Sequence, residues 1–136
     1  MSLVLDASLT LSWYFAEETT PAAEAVLERV SETGAIAPGL WRLEVANAFQ
    51  SALRRGRISP DYRDACLAAL GELPIAIDPE TEAYAWGTPL RLAERHGLTV
   101  YDATYLDLAQ RRGLPLATLD KALREAAAAL DVALLG

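Results

Sequence analysis

The chain has 136 residues, a hydrophobic fraction of 52% and a formal net charge of −7. That is enough apolar material for one domain with its own core. A disordered chain, a disulfide scaffold and a Cys/His zinc site are excluded, because Cys66 is the one cysteine and His96 the one histidine.

"LVLD" (3–6) reads as a short buried strand that ends on a carboxylate. Asp6 interrupts this N-terminal run, which has no basic flank, so it does not read as a signal peptide. "ASLTLSWYFAEE" (7–18) reads as a helix carrying Trp13, Tyr14 and Phe15. Pro21 opens a helix over 22–34, with Ala22, Val26, Leu27 and Val30 at helical period and Gly34 as its stop. "AIAP" (35–38) is a second strand, and residues 39–56 form a long helix closed by Gly56. Ser59 caps a helix whose first position is Pro60 and which reaches about Leu70. "LPIAI" (73–77) is a third strand. Asp78 then reads as the cap of a helix running to His96, bent near Gly87–Pro89. "LTVYD" (98–102) leads into a helix over 103–113, on which Asp107 reads as solvent-facing. "LPLATLD" (114–120) is a fourth strand, 121–130 a last helix and "VALL" (132–135) a last strand.

Short strands, apolar on both faces and alternating with helices, imply one α/β domain over 1–136. Its parallel sheet has four or five strands flanked by helices. No apolar run approaches the roughly 20 residues of a membrane span. The lone cysteine points to a reducing, cytoplasmic setting.

Ligands bind such sheets at the carboxyl ends of the strands. Asp6, Asp78, Asp102 and Asp120 fall at such ends, and Glu44 lies early in the helix after the second strand. Leu40, Leu43, Ala46, Ala48 and Phe49 surround Glu44, so its carboxylate is expected to be partly buried and to need a partner. No basic residue is placed to neutralise the group. Grouped carboxylates stay ionised together only when a cation joins them, and oxygen ligands without His or Cys select Mg2+ or Mn2+. Each acid also has a plain alternative: Asp is a favoured N-cap, and Glu44 could be an ordinary surface glutamate.

The blocks "LVLDAS", "LWRLEVANAF", "TVYDATYLDLA" and "LPLATLDKAL", in this order and spacing, resemble the PIN-domain nucleases. More narrowly, they resemble the VapC toxins of VapBC toxin–antitoxin pairs, over essentially the whole chain. The resemblance implies a hydrolase: an endoribonuclease that uses one or two Mg2+ or Mn2+ ions. It would cut phosphodiester bonds in a structured RNA (tRNA or rRNA), leaving a 5′-phosphate and a 3′-hydroxyl. It implies catalytic metal ligands at Asp6, Glu44, Asp102 and Asp120, the most direct being Asp6 and Asp102 from two strand ends. Polar support is implied from Ser8, Asn47 and Thr118. Asp78 and Asp107 match nothing catalytic. The implied partners are a VapB-type antitoxin, whose C-terminal segment lies in a groove built by the region 7–33, and a second copy of the chain in a homodimer.

With the four site acids set aside, 15 acidic residues face 12 basic ones, so the acidity is less adverse to RNA than it first looks. The RNA-contact candidates are Arg42, Arg54, Arg55, Arg57, Arg111 and Arg112, since arginine suits bidentate phosphate contacts. "LRRG" and "QRRG" fit equally well as basic helix ends complementing the dipole. A phosphoacceptor receiver domain is disfavoured, because Asp6 has no acidic neighbour and the single lysine, Lys121, directly follows Asp120. The residues alone leave open an RNA-processing nuclease without an antitoxin and a non-catalytic interaction module.

Overall fold

The computed structural model describes residues 1–136. Its strands are β1 (Val4–Leu5), β2 (Ala35–Ala37), β3 (Ile75–Ile77), β4 (Leu116–Ala117) and β5 (Leu134–Leu135). All pair in parallel, in the order β3-β2-β1-β4-β5. Leu3, Val4 and Leu5 are fully buried, as a central strand covered on both faces requires. From β1 the chain builds outward through β2 to β3 on one side, then crosses to β4 and β5 on the other. Asp6 therefore emerges at the topological switch point, where open α/β sheets form their crevice.

The helices are α1 (Ala7–Ser12), α2 (Pro21–Thr33), α3 (Trp41–Arg54), α4 (Pro60–Gly71), α5 (Thr81–Tyr84), α6 (Thr88–His96), α7 (Val100–Arg112) and α8 (Lys121–Ala129). Thr20, Ser59, Thr99 and Asp120 cap α2, α4, α7 and α8 through their side chains. Gly34 carries the chain from α2 into β2 at φ 76, where a Cβ would stand 3.0 Å from the Pro74 carbonyl oxygen.

Helix α1 is shorter than its sequence suggests. It stops at Ser12, and after a turn a single 3-10 turn spans Ala16–Glu18. A continuous helix would point Trp13, Tyr14 and Phe15 about 100° apart around its axis. Leaving the helix lets Tyr14 and Phe15 both reach Phe49 of α3, at centroid distances of 6.1 and 5.7 Å. The Trp13 indole N–H meanwhile donates to the Ala23 carbonyl of α2.

Three other expectations need correction. "LTVYD" contains no strand: Thr99 caps α7, and Asp102 lies in the first turn of that helix rather than at a strand end. Asp78 is no helix cap, because α5 starts at Thr81 with Glu80 in the N-cap position, and the bend expected near Gly87 is a full break between α5 and α6. Its carboxylate accepts from the Glu80 N–H, the Thr81 hydroxyl and the Arg111 guanidinium (2.8 Å). Asp107 does not face solvent. It is 2% exposed and accepts from Arg111 at 2.9 Å. Arg111 thus joins two buried carboxylates, with its guanidinium stacked 4.3 Å from the centre of the Tyr84 ring. This clamp ties α7, buried from Ala103 through Ala109, to the edge strand β3.

Removing Arg111 would leave Asp107 buried without a counter-charge and Asp78 with only the Arg112 guanidinium, 3.7 Å away. Arg111→Ala is therefore expected to lower the unfolding free energy at neutral pH by about 3 kcal/mol, read from urea melts. Burial pushes the Asp78 carboxyl up, but the Arg111 hydrogen bond, the Glu80 N–H, the Arg111 charge and the Thr81 hydroxyl outweigh it and leave it below its ordinary value of 3.8. The stabilisation is complete above that value and is lost as pH falls through the lower folded one, so the gap between wild type and variant closes in acid.

Candidate active site

Asp6 stands at the N-cap position of α1 yet makes no cap bond, and only 5% of it is exposed. Its Oδ2 accepts from the Ser8 hydroxyl and from the Thr118 hydroxyl, both at 2.6 Å. Each hydroxyl also accepts a backbone N–H from the turn after β4: Ser8 from Leu119 at 3.0 Å, Thr118 from Asp120 at 3.1 Å. The polarity of that turn is relayed through two hydroxyls onto one carboxylate oxygen. Arg124 braces the turn by donating to the Thr118 carbonyl at 2.7 Å.

Glu44 lies in the first turn of α3, half-buried, and its Oε1 accepts from the Tyr105 hydroxyl at 2.5 Å. The start of α3 is tied to α1: the Trp41 indole donates to Thr10 Oγ1 (3.1 Å), which donates to the Asp6 carbonyl (3.0 Å). Asp120 caps α8, its Oδ2 accepting from the Leu123 N–H at 2.8 Å. Asp102 faces this group from the first turn of α7.

None of these four carboxylates forms an ion pair. Burial raises the Asp6 carboxyl; the Ser8 and Thr118 hydrogen bonds pull it back, and the Asp120 charge adds to the rise. Burial also raises Glu44 against the Tyr105 hydrogen bond, with the Asp6 and Asp102 charges adding. Asp102 is raised by burial, then by the charges of Asp120 and Asp6. A carboxylate placed in a first turn to serve the helix dipole would ionise more readily than usual. Asp102 ionises less readily, because burial and then the charges of Asp120 and Asp6 outweigh its place at the helix start.

The four acids share one field, but no three of them close on a single point as a ready-made ion cage would. The donor set is nonetheless all oxygen, four carboxylates and two hydroxyls, which suits a hard divalent cation. Of the supporting residues expected from sequence, Ser8 and Thr118 contact Asp6 directly. Asn47 sits one turn beyond Glu44 on the exposed face of α3 and bonds none of the acids. Among the arginines, Arg111 is committed to the clamp, and Arg112 stands 3.7 Å from Asp78. Arg57 pairs with Glu17 and covers the Phe15 ring. Arg42, Arg54 and Arg55 are exposed and make no ion pair. Sequence reasoning missed Tyr105 and Arg124. The signal for Tyr105 was present: a tyrosine one turn beyond Asp102 must find a partner for its hydroxyl when buried.

The family model of the PIN domain matches residues 3–129. The chain belongs to the PIN-domain family. Ribonuclease VapC3 of Pyrobaculum aerophilum is 36% identical over 125 residues, spanning 92% of this chain and 94% of that one. A crystal structure of a Pyrobaculum aerophilum protein superposes with a TM-score of 0.67 at 26% identity, over 93% of this chain and 86% of the other. A toxin–antitoxin complex from Klebsiella pneumoniae shares the fold at 17% identity and a TM-score of 0.57, over 88% and 87% of the two chains. This PIN domain thus stands with the VapC ribonucleases, and PIN-domain ribonucleases generally depend on a divalent metal.

Because the folded domain holds protons on Asp6, Glu44 and Asp102 more readily than the unfolded chain does, their contribution to stability is complete below the ordinary carboxylate range and falls as pH rises through their raised folded range. Asp102→Asn removes one repelling charge and is expected to raise Tm at pH 7 by about 2–4 °C. Mg2+ or Mn2+ at millimolar concentration is expected to raise the Tm of wild type and to leave that of the variant nearly flat. Both are read by thermal melts with and without the ion.

Proposed function

We propose that this PIN domain is the ribonuclease toxin of a type II toxin–antitoxin pair, hydrolysing phosphodiester bonds in tRNA or rRNA with Mg2+ or Mn2+. The observation that carries this reading is the set of four unpaired acids at the switch point, two of which, Asp6 and Asp102, serve no capping purpose. Asp6, Glu44, Asp102 and Asp120 would hold one or two ions, turning inward to do so. A bound ion offsets the charge that builds on the phosphate and makes an attacking water easier to deprotonate.

The chain's own residues supply order. Ser8 and Thr118 fix the orientation of Asp6, the N-terminus of α8 fixes Asp120, and a carboxylate not facing the phosphate orients the attacking water. In-line attack then leaves a 5′-phosphate and a 3′-hydroxyl.

For RNA contact the exposed face of α3 is the favoured path. Glu44, Asn47, Ser51, Arg54 and Arg55 follow one another along it, and Arg55 lies about 16 Å from Glu44 by helical rise. Ser51, Arg54 and Arg55 line a concavity of about 240 Å3 that contains no carboxylate. Arg42, Arg57 and Arg112 are secondary candidates, whereas Arg111 is engaged in the clamp. A cavity of about 350 Å3, lined in part by Tyr14, Phe15, Glu17, Arg57, Ile58 and Tyr62, fits an antitoxin segment with apolar side chains. The Klebsiella pneumoniae complex of the same fold supports such a partner. Trp86, 92% exposed, and Leu43 and Leu90 offer apolar surface for a second copy. Action on tRNA or rRNA places the protein in the cytoplasm.

The test is cleavage of total tRNA and rRNA by wild type and by Asp102→Asn, purified identically, with Mg2+ or Mn2+ and with EDTA. Wild type is expected to cut, and both the variant and EDTA to abolish cutting; equal cutting by the two preparations would sink the proposal. In the same assay, Arg54→Ala with Arg55→Ala is expected to raise KM about tenfold at unchanged kcat. The slope of log KM against log salt should fall by about 1–2.

A further inference from the structure

The Tyr105 side chain is fully buried, with 0% of its surface exposed, and it lies on α7 one turn beyond Asp102. Its hydroxyl donates to Glu44 Oε1 at 2.5 Å, the one side-chain hydrogen bond that Glu44 receives. Glu44 has three side-chain torsions and stands on a different helix, half open to solvent. Without that bond its carboxylate would be free to swing outward, toward water and away from the other acids. With it, Oε1 is pinned and Oε2 is left without a side-chain partner. Asp6 and Asp120 show the same division of labour. On Asp6, both side-chain bonds fall on Oδ2, and on Asp120 the α8 cap also takes Oδ2. In each case a neutral donor secures one oxygen.

We infer that Tyr105 is a positioning residue of this site: its hydroxyl fixes the Glu44 carboxylate in the orientation that binds a divalent cation, and its place on α7 sets the spacing between Glu44 and Asp102. A neutral hydroxyl suits this task better than a lysine or arginine would. It orients the carboxylate without cancelling the charge that attracts the cation. Burial on α7 gives the donor a fixed origin, since the residues around it are closely packed from Ala103 to Ala109. Outer-shell donors of this kind typically contribute 10–100-fold in metal affinity.

The inference rests on the metal-nuclease reading, and a cycle of four proteins keeps the two separable: wild type, Tyr105→Phe, Glu44→Gln and the double variant. Phenylalanine keeps the ring and its packing and removes only the O–H, so the fold is retained, as circular dichroism will register. Mn2+ binding is measured by calorimetry in the absence of RNA. Tyr105→Phe is expected to weaken Mn2+ about tenfold, with cleavage recovering at saturating Mn2+ and KM for RNA unchanged. The double variant is expected to bind Mn2+ no more weakly than Glu44→Gln alone, because Tyr105 acts through Glu44. Equal Mn2+ affinity in Tyr105→Phe and wild type, or losses that add in the double variant, would overturn the inference and leave Tyr105 as core packing. Absence of Mn2+ binding in wild type itself would instead remove the metal reading, and this inference with it.

Discussion

A carboxylate at the end of a fully buried strand is the constraint around which the rest of this molecule is arranged. Asp6 stands at the N-cap position of α1 but makes no side-chain cap bond there. Two hydroxyls and, behind them, two backbone N–H groups of the β4–α8 turn are committed to one of its oxygens. Three further acids are brought into the same field from α3, α7 and α8. Each of those helices is placed by its own contact: the indole of Trp41 on Thr10, the Arg111 clamp on α7, and the Asp120 cap. Like charges in a partly buried crevice raise one another's proton affinity. The fold holds them together with no ion pair to neutralise them.

The chain contains buried acids of two kinds, and their partners decide what each can do. Asp78 and Asp107 are as well buried as Asp6, but Arg111 lies between them. Their charge is satisfied within the protein, so they act as structure. Asp6, Glu44 and Asp102 receive at most hydroxyl or backbone donors, so their charge is oriented but left uncompensated. Helix α7 carries both kinds, a satisfied charge cluster at its C-terminal end and an unsatisfied acid in its first turn. The clamp at one end gives the helix a fixed position from which Asp102 and Tyr105 reach the crevice.

Much of this was legible in the sequence. Apolar runs of two to four residues between helical segments give a parallel sheet, and Asp6 was legible as the acid that ends its central strand. The Ser59-Pro60 start and the stops at Gly34, Gly56 and Gly113 are local signals set by backbone chemistry, and they read correctly. What the sequence hid was decided by contacts between distant segments. Whether Asp107 faces water depends on Arg111 turning back four residues while also reaching Asp78, 33 residues earlier in the chain. The aromatic run Trp13–Phe15 looks helical by neighbourhood but is bent by its attraction to Phe49. Asp102 was read at a strand end, whereas the Thr99 hydroxyl accepting its N–H starts a helix there. The partnership of Tyr105 with Glu44 joins positions 61 residues apart, a distance no local pattern spans.

The brevity of the outer strands has a consequence for how the protein behaves at high concentration. A sheet open at both sides exposes a row of unpaired backbone donors and acceptors, onto which another chain can add a strand. Here β3 spans three residues and β5 two. Such a row offers too few hydrogen bonds to offset the entropy of ordering an incoming strand. The fold thus combines an open crevice, which its chemistry needs, with edges too short to seed the stacking of one molecule on the next.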